Sequence, residues 1–251
     1  KVYLNGYEIT ENHGGYIGFI ADITGKVNFD GNNVLAVRVS AEYDPLTPPG
    51  KPQSDLDFYY YSGIYRDVEM IISDKLYVTD PLEENEIAGG GVFVTYPEVS
   101  REKAKIHIKT HVRNRYNIPR KGYLLTRLID SDNKEIVCQR HLFSLKAGAS
   151  IHLEQDLSVD NPSLWYPYCP CLYELRTEVI VDDKTVDKVT RQIGIRSIQY
   201  TTEDGFLING EKLYMRGANR HQAYPYVGDA ASNSIQEREV INMKQGGYNA
   251  V

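Results

Sequence analysis

From Ala104 to Arg113 apolar and polar residues alternate almost without a break. Ala104, Ile106, Ile108, Thr110 and Val112 fall on one side, and Lys105, His107, Lys109, His111 and Arg113 on the other. A period of two marks a strand with one face buried. Other short apolar runs flank turn formers. Residues 124–129 and 136–140 bracket Asp130-Ser131-Asp132-Asn133, and residues 173–181 and 186–193 bracket Asp182-Asp183-Lys184, so two hairpins are predicted. Gly89-Gly90-Gly91 precedes a strand over residues 92–96. No helix follows these glycines, so they make no phosphate cradle, and a flexible loop is expected. Short strands with turns at this spacing predict a sandwich of about seven strands.

On either side the pattern changes. Val2-Tyr3-Leu4 runs into the turn pair Asn5-Gly6, and Asn32-Asn33 announces a strand over residues 34–39. Pro45, Pro48, Pro49, Gly50 and Pro52 make a long irregular loop, and residues 65–72 read as a strand that Asp74 ends. Towards the other end, residues 206–212 read as a tight hairpin, residues 213–216 as a short strand and residues 234–245 as the one convincing helix. Ser234 with Glu237 has capping-box spacing, Ile235, Val240, Ile241 and Met243 give an apolar face, and Gly246-Gly247 is a stop. Residues 248–251 open another strand. Strand, helix, strand is the unit of a parallel sheet or barrel. A complete (β/α)8 barrel takes about 250 residues, so only its first βαβ unit is expected here. Lys1 is not a start methionine and both ends read as lying inside strands, so the chain is expected to be a piece of a longer protein.

Charge and composition narrow the partners. Lys and Arg number 28 against 34 Asp and Glu, a net charge of −6 with no basic stripe, so no nucleic-acid partner is expected. No run of 18 apolar residues occurs, so no membrane partner is expected through a spanning helix. Tyr (20) far outnumbers Phe (6) and Trp (1), a tilt that suits strands and sugar-facing clefts. Cys169-Pro170-Cys171 has one intervening residue and no second pair, against the four ligands of structural zinc, so loop cysteines are expected. His107 and His111 lie about 13 Å apart along a strand, too far to share one zinc, and both are expected to be exposed. No metal site is expected from these residues. The carboxylates form no pair that reads as acid and nucleophile.

One polar cluster stands apart. Arg216-Gly217-Ala218-Asn219-Arg220-His221-Gln222 follows the short strand of residues 213–216. At the C-terminal end of a first barrel strand it would occupy the face where barrel enzymes place their active sites. Asn219, Arg220 and His221 supply donors that can clasp hydroxyls or a developing charge. A network bracing the barrel rim would use the same residues, and pattern alone leaves both readings open.

The chain resembles glycoside hydrolase family 2, the β-galactosidase and β-glucuronidase group. Val2-Tyr3-Leu4-Asn5-Gly6, Gly15-Tyr16-Ile17-Gly18-Phe19, Asp22-Ile23-Thr24 and Asn33-Val34-Leu35-Ala36-Val37-Arg38-Val39 are similar to its sugar-binding domain. Ser62-Gly63-Ile64-Tyr65-Arg66-Asp67-Val68 is its most distinctive signature. Leu164-Trp165-Tyr166-Pro167, Leu172-Tyr173-Glu174-Leu175 and Gly194-Ile195-Arg196 resemble its immunoglobulin-like domain. Residues 204–221, ending in Gly217-Ala218-Asn219-Arg220-His221, resemble the approach to its catalytic barrel. The resemblance implies a mainly β chain. Residues 1–75 would be an N-terminally incomplete jelly-roll sugar-binding domain, residues 76–201 an immunoglobulin-like β-sandwich, and residues 202–251 the start of a TIM barrel.

It further implies a retaining exo-β-glycosidase using two glutamates, with carboxyls about 5–5.5 Å apart, on later barrel strands beyond Val251. No catalytic residue is then assigned within this chain, and the chain alone is expected to be inactive. His221 matches a family histidine that supports the transition state. Asp57 lines up with an aspartate that some β-galactosidases extend toward the sugar and a sodium ion, although Tyr59-Tyr60-Tyr61 departs from that pattern. Asn219 and Arg220 join them as implied substrate contacts, and Arg66 is implied as a structural tie. Gln222-Ala223-Tyr224 departs from the acidic and histidine residues of well-known β-galactosidases. A β-galactoside leads as substrate, with glucuronide, mannoside or arabinoside as alternatives, and a non-catalytic carbohydrate-binding or scaffolding protein as the rival class. The implied partner is carbohydrate, with a homo-oligomer compatible. No cofactor is implied, though the complete enzyme has room for a sodium or magnesium ion.

Overall fold

The computed structural model describes residues 1–251, whose contacts divide into two units: Lys1–Met70 with Arg216–Val251, and Ile71–Met215. In the first unit, Asn5 and Gly6 both take positive φ, 52° and 85°. That geometry suits a two-residue hairpin turn and joins β1 (Val2–Leu4) to β2 (Tyr7–Thr10). β3 (Leu35–Val37) pairs antiparallel on the other side of β1. Asn5 holds the sheet's end: its amide donates to Asn33 Oδ1 at 2.9 Å and its carbonyl accepts from Val34 N at 2.9 Å. The strand expected over residues 34–39 therefore shortens to three residues. The strand expected over residues 65–72 does not form. No neighbouring strand offers it a ladder, and Val68, Met70, Ile71 and Ile72 are exposed.

The helix of this unit, Asn233–Gln245, starts one residue before the predicted position and is N-capped at Ser232. The hydroxyls of Ser232 and Ser234 face each other at 2.9 Å and neither caps the helix, so the predicted Ser234–Glu237 capping box is not made. Gly246 and Gly247 end it as predicted, with Gly247 at φ 87°. The strands predicted on either side contract to one parallel bridge, Gly217 with Ala250, fastened by a 2.7 Å bond from Arg216 N to Asn249 Oδ1.

The second unit is where the period-two pattern prevails. Its strands are β4 (Leu76–Val78), β5 (Val92–Val99), β6 (Lys103–Asn114), β7 (Arg120–Ile129), β8 (Glu135–Leu145), β9 (Ser150–Asp160), β10 (Tyr173–Val181) and β11 (Lys184–Ile193). One antiparallel sheet runs β11-β10-β7-β8, and the other joins β4, β6 and β5, with β9 also paired to β6. Both predicted hairpins, β7–β8 and β10–β11, are present and longer than their apolar runs. Ile106, Ile108 and Leu157 of one sheet pack against Leu128 and Leu175 of the other. Each such side chain contributes about 1.5–3 kcal/mol by leaving water. Buried Thr126 donates to Gln155 Oε1 across the core at 2.7 Å, which satisfies two polar groups that would otherwise be costly. Gly194 lies against the Trp165 ring, where a Cβ would come within 2.8 Å of the indole. Three short strands, β12 (Ile198–Thr201), β13 (Gly205–Ile208) and β14 (Glu211–Lys212), follow, the last two forming the predicted hairpin.

Two expectations fail on the outer face of β6. His111 is only 3% exposed. Residues 79–91 cover it: Thr79 Oγ1 shares a 2.9 Å hydrogen bond with His111 Nδ1, and the ring stacks on His152 with centroids 4.3 Å apart. Gly89, Gly90 and Gly91 are likewise buried, not a flexible loop. A Cβ on Gly90 would lie 3.0 Å from Pro81 Cα in the short helix Pro81–Glu84, and Gly91 N donates to Thr79 Oγ1 at 3.0 Å. His107 stays partly exposed and hydrogen-bonds Asp156 at 2.8 Å.

Candidate functional site

His221 is exposed, and its ring stacks on Phe58 with centroids 5.6 Å apart and planes 27° from parallel. This contact sets Asp57-Phe58 beside Asn219-Arg220-His221. Asp57 and Asn219 are also exposed and open to a ligand. Arg220 is placed differently. Its guanidinium donates to Glu239 and Gln236 on the helix Asn233–Gln245, and the hydrogen bond from Arg220 holds the Glu239 carboxyl below its ordinary range. Arg220 thereby braces the segment that presents His221.

Arg66 is a tie between two distant stretches. It donates to the backbone carbonyl of Asp229 and, at 3.0 Å, to that of Tyr65. A second fastening is steric. Gly228 sits at φ +56°, and a Cβ there would come within 2.8 Å of the Tyr61 ring, so only glycine lets the two stretches close. Phe58, Tyr61, Gly228 and Asp229 escaped the sequence reading. The run Tyr59-Tyr60-Tyr61 and the excess of tyrosine were visible, but nothing local linked them to residues 224–229.

Chemically, this arrangement places an imidazole, an amide and a carboxylate together, groups able to hydrogen-bond hydroxyls. It offers no pair of carboxyl groups for acid and nucleophile. No group of three or more His, Cys, Asp or Glu side chains is placed to hold a metal ion. Asp57 by itself is too few ligands for a sodium or magnesium ion, which calls for several oxygens. Cys169 and Cys171 are free thiols in a turn, their sulfurs 3.4 Å apart.

Comparison with known proteins gives the arrangement its context. The model of the glycosyl hydrolases family 2 sugar binding domain matches residues 1–73, that of glycosyl hydrolases family 2 residues 90–196, and that of the family's TIM barrel domain residues 200–251. A beta-galactosidase of Thermoanaerobacter pseudethanolicus is 31% identical over 247 residues, which cover 97% of this chain and 31% of that protein. A beta-glucuronidase of Bacteroides fragilis is 32% identical over 255 residues, covering 100% of this chain and 35% of that protein. The crystal structure of a Bacteroides uniformis beta-glucuronidase aligns with a TM-score of 0.87 at 27% identity, over 98% of this chain and 29% of that one. The chain spans about a third of the length of the curated relatives it matches. Its mainly β architecture carries the sugar-binding domain, the immunoglobulin-like sandwich and the start of the TIM barrel in the family's order, and the chain belongs to glycosyl hydrolases family 2.

Proposed function

We propose that this chain is part of a retaining exo-β-glycosidase that releases terminal β-linked sugars, with β-galactosides as its substrates. The observation that carries the reading is the Phe58–His221 stack, which brings two family-matched stretches to one exposed site. In this chemistry one carboxylate attacks the anomeric carbon and a second carboxyl protonates the leaving oxygen, then activates water. In our reading both are glutamates beyond Val251. This chain contributes contacts: His221 and Asn219 to sugar hydroxyls, Asp57 as a hydroxyl acceptor, and Arg220 as the brace behind them.

Charge favours a neutral sugar over a glucuronide. Arg220 is committed to Glu239 and Gln236, Arg66 is committed to backbone carbonyls, and Asp57 would repel a uronate.

The test is His221→Ala in the full-length enzyme. Hydroxyl contacts tighten as the sugar ring flattens, so kcat should fall more than KM changes. Loss of one preorganised donor costs about 10²–10³ in rate. A normal kcat with a lowered melting temperature would make His221 a brace. Chromogenic β-galactoside should turn over faster than the β-glucuronide, and the 251-residue chain alone should hydrolyse neither; the opposite preference would overturn the substrate assignment.

A further inference from the structure

The connection between β9 and β10 carries two thiols that the glycosidase reading does not use. Cys169 and Cys171 flank Pro170, and Cys171 N donates to the Cys169 carbonyl two residues back at 2.8 Å. That bond closes a γ-turn, whose central residue takes φ near −75° in its common form, close to the value proline already holds. Two residues span at most about 7 Å of chain, and the turn draws the flanking Cα atoms closer, into the range a disulfide bridges. The side chains converge as well: the two Sγ atoms are 3.4 Å apart and share a hydrogen bond. A disulfide bond measures about 2.05 Å, within reach of small side-chain rotations from there. The frame around the pair is fixed. Tyr166 and Cys169 exchange backbone hydrogen bonds at 3.0 and 3.1 Å. The Tyr166 and Tyr168 rings stack with centroids 5.0 Å apart, and both hydroxyls donate to the Glu211 carboxylate of β14 at 3.4 Å. The thiols are thus brought together before any bond forms, so closing it costs little further chain entropy. Access differs between them. Cys169 is exposed and Cys171 half-buried. The hydrogen bond to Cys169, then burial, pushes the Cys171 thiol up, which leaves Cys169 as the readier nucleophile. Cys138 on β8 is also exposed but has no second thiol beside it.

We propose that Cys169-Pro170-Cys171 is a thiol–disulfide exchange site that reacts with small disulfides of the glutathione type. The Cys169 thiolate attacks one sulfur of the small disulfide and releases the other half as a thiolate, which takes up a proton. The Cys171 sulfur gives up its proton, attacks the Cys169 sulfur and expels the second half as a thiol. The two cysteines together lose two electrons and two protons, and the small disulfide gains both to become two thiols. The ring so closed is short and lies at the surface, and strained or exposed disulfides are the readily reduced ones, so excess thiol reopens it. The proposal concerns the oxidation state of this turn and stands or falls apart from the glycosidase reading.

The test is peptide mapping of the full-length protein after exposure to oxidised glutathione, with the remaining thiols alkylated. The tryptic peptide of residues 147–176 holds both cysteines. It should lose both alkylation sites and weigh less than the reduced, unalkylated peptide by two hydrogens, and excess reduced glutathione should restore both sites. Cys171→Ser should hold glutathione on Cys169, because no resolving sulfur remains, with at least about tenfold more adduct than in the wild-type protein. In Cys169→Ser the half-buried Cys171 should gain the adduct about tenfold more slowly than Cys169 does in Cys171→Ser. Cys138 serves as the internal control and should show an adduct at most. The proposal is overturned if both thiols of the wild-type peptide stay open to alkylation, or if wild-type Cys169 keeps its glutathione as long as Cys171→Ser does. Either cysteine bridged to a third sulfur instead would overturn it too.

Discussion

The two units of this chain are stabilised in different ways. In Ile71–Met215, Ile106, Ile108, Leu124, Leu128 and Val179 are wholly shut away from water. In the other unit the buried apolar side chains are Val2, Leu4 and Ala231, while Ile17, Phe29, Leu46 and Met70 stay exposed. Both units contain apolar residues in abundance. The difference is that each long strand of the sandwich has a ladder neighbour and a facing sheet, whereas β1, β2 and β3 are too short to present a face. The candidate site lies in the second kind of structure. A few point fastenings hold it: the Phe58–His221 stack, the Arg66–Asp229 bond and the Gly228–Tyr61 contact. Sites of low local stability are common where ligands bind, because binding itself supplies the missing contacts.

The contrast can be broken most directly by truncation. Ile106→Ala, at a position 0% exposed, should cost about 2–5 kcal/mol, seen as a lower urea midpoint. Met70→Ala, at a position 72% exposed, should stay within about 0.5 kcal/mol. Equal losses would erase the distinction. A smaller effect comes from overfilling. Gly194→Ala would push a methyl group to 2.8 Å from the Trp165 ring and should cost about 1–3 kcal/mol, whereas Gly25→Ala meets nothing within 4 Å and should be silent in the same melts.

The smallest and most selective effect is acid sensitivity of the sandwich. Burial, then the neighbouring His152 ring, holds the His111 imidazole below its ordinary range, while Glu84 and Glu86 pull the other way and Arg113 adds to the depression. The folded state thus binds a proton less readily than the unfolded chain. The stability from neutral His111 is full above pH about 6.5, the ordinary histidine value, and is lost as pH falls below it. Melting temperature should decline from pH 7.5 to pH 5, with a shallower decline in His111→Gln. An unchanged slope in that variant would move the acid sensitivity elsewhere.

Much of the sandwich was legible because period two and turn pairs are local signals. β9 was overlooked since Gln155 interrupts its inward row, and only the partner Thr126 explains a polar residue there. His111 was misplaced for a related reason. Alternation tells which face of β6 is apolar but not that residues 79–91 will cover the other. Residues 65–72 have the composition of a strand, but pairing decides strands. At the candidate site, ordered motifs single out His221, Asn219 and Asp57, and all three are exposed in the structure. Arg220's commitment to the helix, Phe58's ring contact and Asp229's burial depend on meetings between remote stretches, which no window of sequence records.

That remoteness has a kinetic consequence. Arg66 and Asp229 are 163 residues apart along the chain, and the same spacing separates Phe58 from His221. Closing a flexible loop of that length costs about 4–5 kcal/mol of chain entropy. One ring stack and one hydrogen bond return roughly 1–3 kcal/mol together, too little to hold such a loop shut. The balance changes once the intervening sandwich has folded and the loop is no longer flexible. The site should therefore assemble after the sandwich during refolding, and a protein caught early should have its β-core in place while Phe58 and His221 are still strangers.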